Sequence, residues 1–193
     1  MPRTKLFKKE EMLQKAMELF WRNGFYNTSV EEIVSNLGIS RASLYSTFGL
    51  KSDLFNESLQ LYCESNRKMT LQFLNSHKEV KDGIKKLFEA AVVASTSDKE
   101  SKGCFVVNTT TELASNNKQV KSVLKKNQLI FEDMFYEYLL SGKETGELSS
   151  KKDLRSIANL IYILFNGINV VGKIECDSTK ILGSVAIVLT LLD

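Results

Sequence analysis

The 193-residue chain carries 26 Lys/Arg against 23 Asp/Glu, with 43% hydrophobic and 25% charged residues; these are the proportions of a globular protein, not of a polycation or a disordered tail. Its three cysteines, Cys63, Cys104 and Cys176, are scattered without a C-x-x-C, and His77 is the single histidine, so neither a disulfide framework nor a structural metal site is expected. The one proline is Pro2 and no stretch alternates with period two, which predicts an all-α chain.

The amino end is polar and basic, without the apolar core of a signal peptide. Residues 2–9, PRTKLFKK, hold four basic side chains and no acid. Such an arm reads either as a strap along phosphates or a minor groove, or as a solvated terminus. A first helix is predicted from Lys9 to Asn23, with Met12, Ala16, Leu19 and Phe20 on one face and Gly24 stopping it.

The stretch from Thr28 to Lys51 predicts two short helices joined by a tight turn. Val30, Ile33, Val34 and Leu37 give the first an apolar face. Thr28 and Ser29 each have a Glu three residues on, Glu31 and Glu32, so a capping box is available in either register. Gly38 suits a left-handed turn, and Ser40 is placed to cap a second helix over Arg41–Phe48. Leu44 and Phe48 share its inner face, leaving Ala42, Ser43, Tyr45 and Ser46 outside. A helix with small outward residues fits the DNA major groove, and Arg41 brings a forked donor for guanine or phosphate. Residues 1–51 also hold eight Lys/Arg against five Glu, while 18 and 18 remain beyond. The net positive charge therefore sits at this end.

Residues 10–55 resemble the DNA-binding domain of the tetracycline-repressor-like (TetR/AcrR) family of bacterial transcription regulators. The matching residues are Ala16–Phe20, Gly24, the T28-S-V-x-x-I33 start, G38-I-S-R-A-S-L-Y-S-T-F48, Lys51, and Leu54 with Phe55. Val34 stands where the family often has alanine and Ala42 where it often has glycine, so the base preference does not carry over. The resemblance implies DNA contacts from Thr28, Ser40, Arg41, Ala42, Ser43, Tyr45, Thr47 and Lys51. Arg41, Ala42 and Ser43 would meet bases, whereas Tyr45, Thr47, Lys51 and the helix start at Thr28 would meet phosphates. Glu31 and Glu32 beside that contact suit their own helix dipole but oppose DNA.

A helix starting near Ser52 and Asp53 follows, with Leu54, Phe55, Leu59 and Tyr62 inward, and no Gly/Ser or Pro linker separates a small domain (1–51) from a larger one (52–193). His77, Asp82 and Gly83 mark a boundary before the apolar face of Ile84, Leu87, Phe88, Ala91 and Val92. The polar run from Ser95 to Lys102 reads as a loop. G103-C-F-V-V-N-T-T-T-E-L-A again resembles the larger domain of the family, and a long helix is predicted from Asn117 to Leu140, ended by Gly142 and Gly146. Between Arg155 and Lys173 lie 17 residues without a formal charge, and between Lys180 and Asp193 lie 12. A membrane span needs roughly 17–25 apolar residues; the first run carries three Asn and the second is short, so no membrane partner is expected.

The first of these runs is apolar all round and needs covering on both sides. The family pairs its last two helices with those of a second subunit, which assigns Ile161, Leu164, Gly167, Ile168, Gly183 and Ile187 to a dimer interface. A small-molecule pocket would be lined by Tyr62, Phe88, Val92, Phe105, Asn108, Phe131, Phe135, Tyr162, Phe165 and Asn166, although aromatics at helical spacing are more often plain core than pocket. No G-x-S-x-G, H-E-x-x-H or P-loop appears, so no enzyme and no cofactor is expected. Cys104 beside Gly103 reads as a packing thiol, with oxidant sensing as the alternative. The expectation is a cytoplasmic, homodimeric, all-α regulator with an N-terminal helix–turn–helix domain and a larger ligand-binding and dimerisation domain. It would bind palindromic operator DNA and be released by an apolar or amphipathic effector. The alternative is a constitutive DNA-binding protein without an effector.

Overall fold

The computed structural model describes residues 3–97, 100, 102–149, 151–175 and 177–193, with side chains from Lys9 onward. The described residues form helices and no strand: α1 (Arg3–Asn23), α2 (Val30–Leu37), α3 (Arg41–Phe48), α4 (Lys51–Asn75), α5 (Val80–Thr96), α6 (Phe105–Leu113), α7 (Lys118–Glu144), α8 (Leu154–Val171) and α9 (Ser178–Leu189), then a 3-10 turn over Thr190–Leu192. The expected boundaries shift at a few ends. α1 starts at Arg3, so the backbone of the basic arm is helical from Arg3 on, while Pro2, the side chains before Lys9 and Cys176 lie outside the described residues. Asp82 and Gly83 fall inside α5 rather than before it, and Gly142 falls inside α7. Gly142 is there for close approach: a Cβ would meet Val80 and Leu148 at 3.1 Å. The helix ends instead ahead of Gly146, whose φ of 80° only glycine adopts freely.

Two compact units result. One runs to Ser65 and takes in Asn108–Leu124; the other holds Asn66–Val107 and Lys125–Asp193. The division expected at residues 51/52 is thus displaced into the body of α4. No composition shift marks it, because α4, α6 and α7 each begin in one unit and end in the other. In the first unit Ala16, Phe20, Ile33, Leu44, Leu54, Phe55 and Leu59 are fully buried. Phe55 is struck edge-on by Phe20 and Phe25, at centroid distances of 5.0 and 5.1 Å.

The second unit packs α5 against α8 and α9 around Leu74, Ile84, Phe88, Val92, Phe131, Phe135, Leu139, Ala158, Ile161 and Val185. Leu154–Val171 is long and apolar enough to cross a membrane by length and composition, but one of its faces, through Leu154, Ala158, Ile161 and Ile168, is spent on this core. Phe135 is fully buried between Phe131 and Phe165, 6.1 and 6.3 Å away. Truncating such a ring removes both transfer energy and packing. Phe135→Ala is expected to lower unfolding free energy by about 3–5 kcal/mol in urea titration; a loss below about 1 kcal/mol would show the ring is not core.

Candidate nucleic-acid interface

The register of α2 is settled by its cap. Ser29 is extended and its Oγ accepts from the Glu32 N–H at 3.1 Å, while the Glu32 carboxylate accepts from the Ser29 N–H at 2.8 Å. These bonds hold Glu32 below the usual carboxylate range, the Ser29 N–H contributing most. Thr28 does not compete for this role. It is completely buried, and its hydroxyl donates to the Gly24 carbonyl at 2.6 Å. The Thr28 side chain is thus turned inward, and its β-branched hydroxyl shapes the turn after α1. At the other end Gly38 has φ 65° and ψ 38°, and the Ile39 N–H donates back to the Val34 carbonyl at 3.1 Å. That is the Schellman closure, which frees the chain to turn into α3.

α3 starts on Ser40, whose Oγ accepts from the Ser43 N–H at 3.1 Å. Over its length only Leu44 and Phe48 are buried; Ser40, Arg41, Ala42, Ser43, Tyr45, Ser46 and Thr47 are all exposed. Ser43 and Ser46 spend bonds locally: Ser43 Oγ lies 3.0 Å from Ser40 Oγ, and Ser46 Oγ donates to the Ser43 carbonyl at 3.1 Å. The outward face is thus uncharged except at its start, where Arg41 pairs with Glu31 of α2. Both acids that oppose DNA on sequence grounds are already engaged, Glu32 by its cap and Glu31 by Arg41.

The remaining cations are less free than their spacing suggested. Lys51, at the start of α4, is half-buried with its ammonium 4.4 Å from the centroid of the Phe25 ring. Burial pulls its pKa down, and the charges of Glu112 and then Glu32 push it back up. Lys9 pairs with Glu57 at 3.1 Å and lies 5.2 Å from the Phe48 ring centroid, which ties α1 to α4.

Among the residues predicted to line a pocket, Phe88, Val92, Phe131 and Phe135 join one core cluster, with Tyr162 and Phe165 packed at its edge. Phe105 is buried in the second unit as well, whereas Tyr62 and Asn108 belong to the first. Asn166 turns its amide back to the Tyr162 carbonyl at 2.8 Å. Sequence reasoning missed Asn159, whose Oδ1 is buried without a hydrogen-bond partner. It lies three and seven residues before Tyr162 and Asn166, on the same stripe of α8. Only the accounting of donors and acceptors reveals it, since Asn at that position fits the helical pattern without remark.

The predicted dimer residues divide. Ile161 and Ile168 are buried in the core of their own chain and Leu164 is half-buried, so the first two are corrected to inward-facing positions. A stripe read from sequence alone does not say which of two apolar faces turns outward. Ile163 (64% exposed), Val170 and Val171 of α8 and Ile187 (72%) of α9 are instead exposed, and Gly167 and Gly183 have open space where side chains would project.

Residues 12–58 match the sequence profile of bacterial regulatory proteins of the tetR family, and residues 81–183 match that of the tetracyclin repressor-like C-terminal domain. The chain is 29% identical over 194 residues, covering all of both chains, to the uncharacterized HTH-type transcriptional regulator YezE of Bacillus subtilis. It is 26% identical over 181 residues to the HTH-type transcriptional repressor ComR of Escherichia coli, covering 93% of this chain and 86% of that one. Among solved structures, the TetR family regulator CifR, complexed as a cysteine mutant with 26-bp operator DNA, superposes with a TM-score of 0.82 at 25% identity over 95% of this chain and 96% of that one. A TetR regulator from Chloroflexus aurantiacus gives 0.85 at 20% identity over 98% and 96%, which is a likeness of fold.

Arg41 and Tyr45 occupy different places on the exposed face and should separate in binding. Arg41→Ala is expected to cost about 1–3 kcal/mol on a specific duplex and to relax preference at one base pair. Tyr45→Phe should weaken specific and random duplexes alike, as loss of a phosphate contact does. Anisotropy titrations on both duplexes check this; equal losses for Arg41→Ala would reassign it to the backbone.

Proposed function

Since the chain belongs to the TetR family of bacterial regulatory proteins, we propose that it is a cytoplasmic homodimeric repressor that binds palindromic operator DNA through α3 and is released by a small effector. The observation that carries the reading is the eight-residue α3 itself. It is capped at Ser40, anchored by Leu44 and Phe48 alone, and presents Arg41, Ala42, Ser43, Tyr45 and Thr47 outward. A helix so built approaches a groove closely, with Arg41 exchanging Glu31 for a base edge. In a dimer the paired α3 helices reach successive major grooves about 34–36 Å apart. Selection of bound sites from random DNA tests this, and the expected product is a palindrome with half-sites one or more helical turns apart. Enrichment of single, unpaired half-sites or of no motif would refute it.

The second subunit is supported by the exposed Ile163, Val170 and Val171 of α8 and Ile187 of α9, large apolar side chains on the two most apolar helices. Ile187→Asp is expected to give a folded monomer by light scattering, because an unpaired charge in such an interface costs several kcal/mol. Ile161→Asp should instead unfold the second unit, since Ile161 is core. A dimeric Ile187→Asp protein would move the interface elsewhere.

For the effector, the aromatic edge of the second unit and the unpartnered Asn159 Oδ1 favour an amphipathic molecule with a hydrogen-bond donor. Lowering operator affinity a hundredfold requires about 2.7 kcal/mol of differential effector binding between two shapes, and linkage makes operator weaken effector binding equally. Filling the cluster at Val92 is a poor test, because Val92 is fully buried and Val92→Trp would overpack the core. Asn159→Leu removes an unsatisfied acceptor and should retain folding and DNA binding while abolishing the response to compounds that release the wild type. An unchanged response in anisotropy assays would free Asn159 of that role.

A further inference from the structure

Among the described residues, two carboxylates each take a pair of adjacent backbone N–H groups from a distant segment. Glu147 accepts from Val80 and Lys81 at 2.8 and 2.7 Å. That bond pair has an ordinary explanation: it closes the start of α5, where Glu79 makes no side-chain cap. Glu112, in the last turn of α6, accepts from Phe25 at 3.1 Å and from Tyr26 at 2.8 Å. No helix start explains this second pair, because Phe25 and Tyr26 follow the end of α1 and precede the cap of α2. Their N–H groups have no ladder of their own, and charge-assisted bonds hold a turn more firmly than neutral ones.

Everything around this carboxylate leads to the start of α2. Gly24 takes φ 80°, and a Cβ there would stand 2.9 Å from Glu112 Oε2, so the residue that stops α1 also makes room for Glu112. The same Gly24 carbonyl receives the Thr28 hydroxyl, one residue before the Ser29 cap. Phe25 lies between Phe55 of the core and the Lys51 ammonium. The turn is thus gripped by Thr28 from its own end and by Glu112 from 87 residues away in sequence.

We propose that Glu112 is a positioning residue for DNA binding: by holding the Phe25 and Tyr26 amides it fixes the direction in which α2, and α3 packed on it, leave α1. This rests on the reading of α2 and α3 as the DNA-contacting pair. α6 begins at Phe105, among residues of the second unit, and ends at Glu112–Leu113 in the first. The Glu112 carboxylate and the two amides it holds all lie within the first unit.

Glu147 supplies the internal control, being the same chemistry placed away from α2. Glu112→Ala, Glu112→Gln and Glu147→Ala are compared with wild type for thermal stability, affinity for the duplex recovered by selection with wild type, affinity for a random-sequence duplex, and amide exchange at Phe25 and Tyr26. Glu112→Ala is expected to speed exchange at both amides and lower affinity for the selected duplex about tenfold, with under about twofold change on random sequence, where register carries little. Glu147→Ala should lose stability comparably and leave the ratio of affinities as in wild type. Should Glu112→Ala fail to fold, the near-isosteric Glu112→Gln, which keeps one acceptor, is expected to show the same direction with a smaller loss. Wild-type exchange and affinity in both Glu112 variants would overturn the proposal, as would equal losses in Glu147→Ala at equal stability. Failure of wild type to bind any duplex would instead overturn the DNA-binding reading, and the exchange data would still show whether Glu112 holds the turn.

Discussion

The constraint on which the first unit depends is that α3 is held by two side chains. A helix of eight residues is too short to persist by itself, and a helix that must offer its surface to a partner cannot bury more of it. Leu44 and Phe48 therefore carry all of its buried attachment, beside the exposed Arg41–Glu31 pair. Phe20 and Phe25 each meet Phe55 edge to face in the same unit, and Ile33 and Leu37 of α2 are buried. Caps supply the rest: Ser40 for α3, the Ser29–Glu32 box for α2, and Gly38 between them. Each removes an orphan backbone group that the exposed helix would otherwise leave to water.

The same economy governs charge. A basic end facing DNA must keep its cations from collapsing onto its acids, yet this one brings Glu31 and Glu32 to the start of α2. The acids are placed in bonds that serve the fold: Glu32 in the cap, Glu31 on Arg41. An exposed pair of this kind contributes at most about 1 kcal/mol, so Arg41 gives it up at small cost for a better acceptor. Lys51 is spent differently. Its ammonium lies on Phe25 and in the field of Glu112, which makes it part of the support for the turn as much as a charge offered outward.

Much of this was legible in the sequence because local rules act over a few residues. The Ser40 cap, the Gly38 turn, the Leu44–Phe48 pair and both ends of α3 follow from spacing alone. The helix order of the second unit follows from the apolar runs. What spacing does not encode is direction. Nothing local says that Thr28 turns inward, that Ile161 and Ile168 face their own core while Ile163 and Ile187 face out, or that α4 belongs to two units. Long-range bonds were hidden for the same reason: Glu112 reads as one polar residue in TTTELA until the turn it holds is seen. The unpartnered Asn159 acceptor likewise exists only as a deficit in three dimensions.

The central claim is that the exposed face of α3, and not another surface, meets DNA. Titrating the selected duplex into isotope-labelled protein and mapping backbone amide shifts addresses it residue by residue. The account predicts the largest shifts over Arg41–Thr47 and at the Ser29–Val30 start of α2, with the amides of Leu139 and Val185 in the second core unmoved. Shifts concentrated in the second unit, or an α3 whose amides do not respond to DNA, would contradict it.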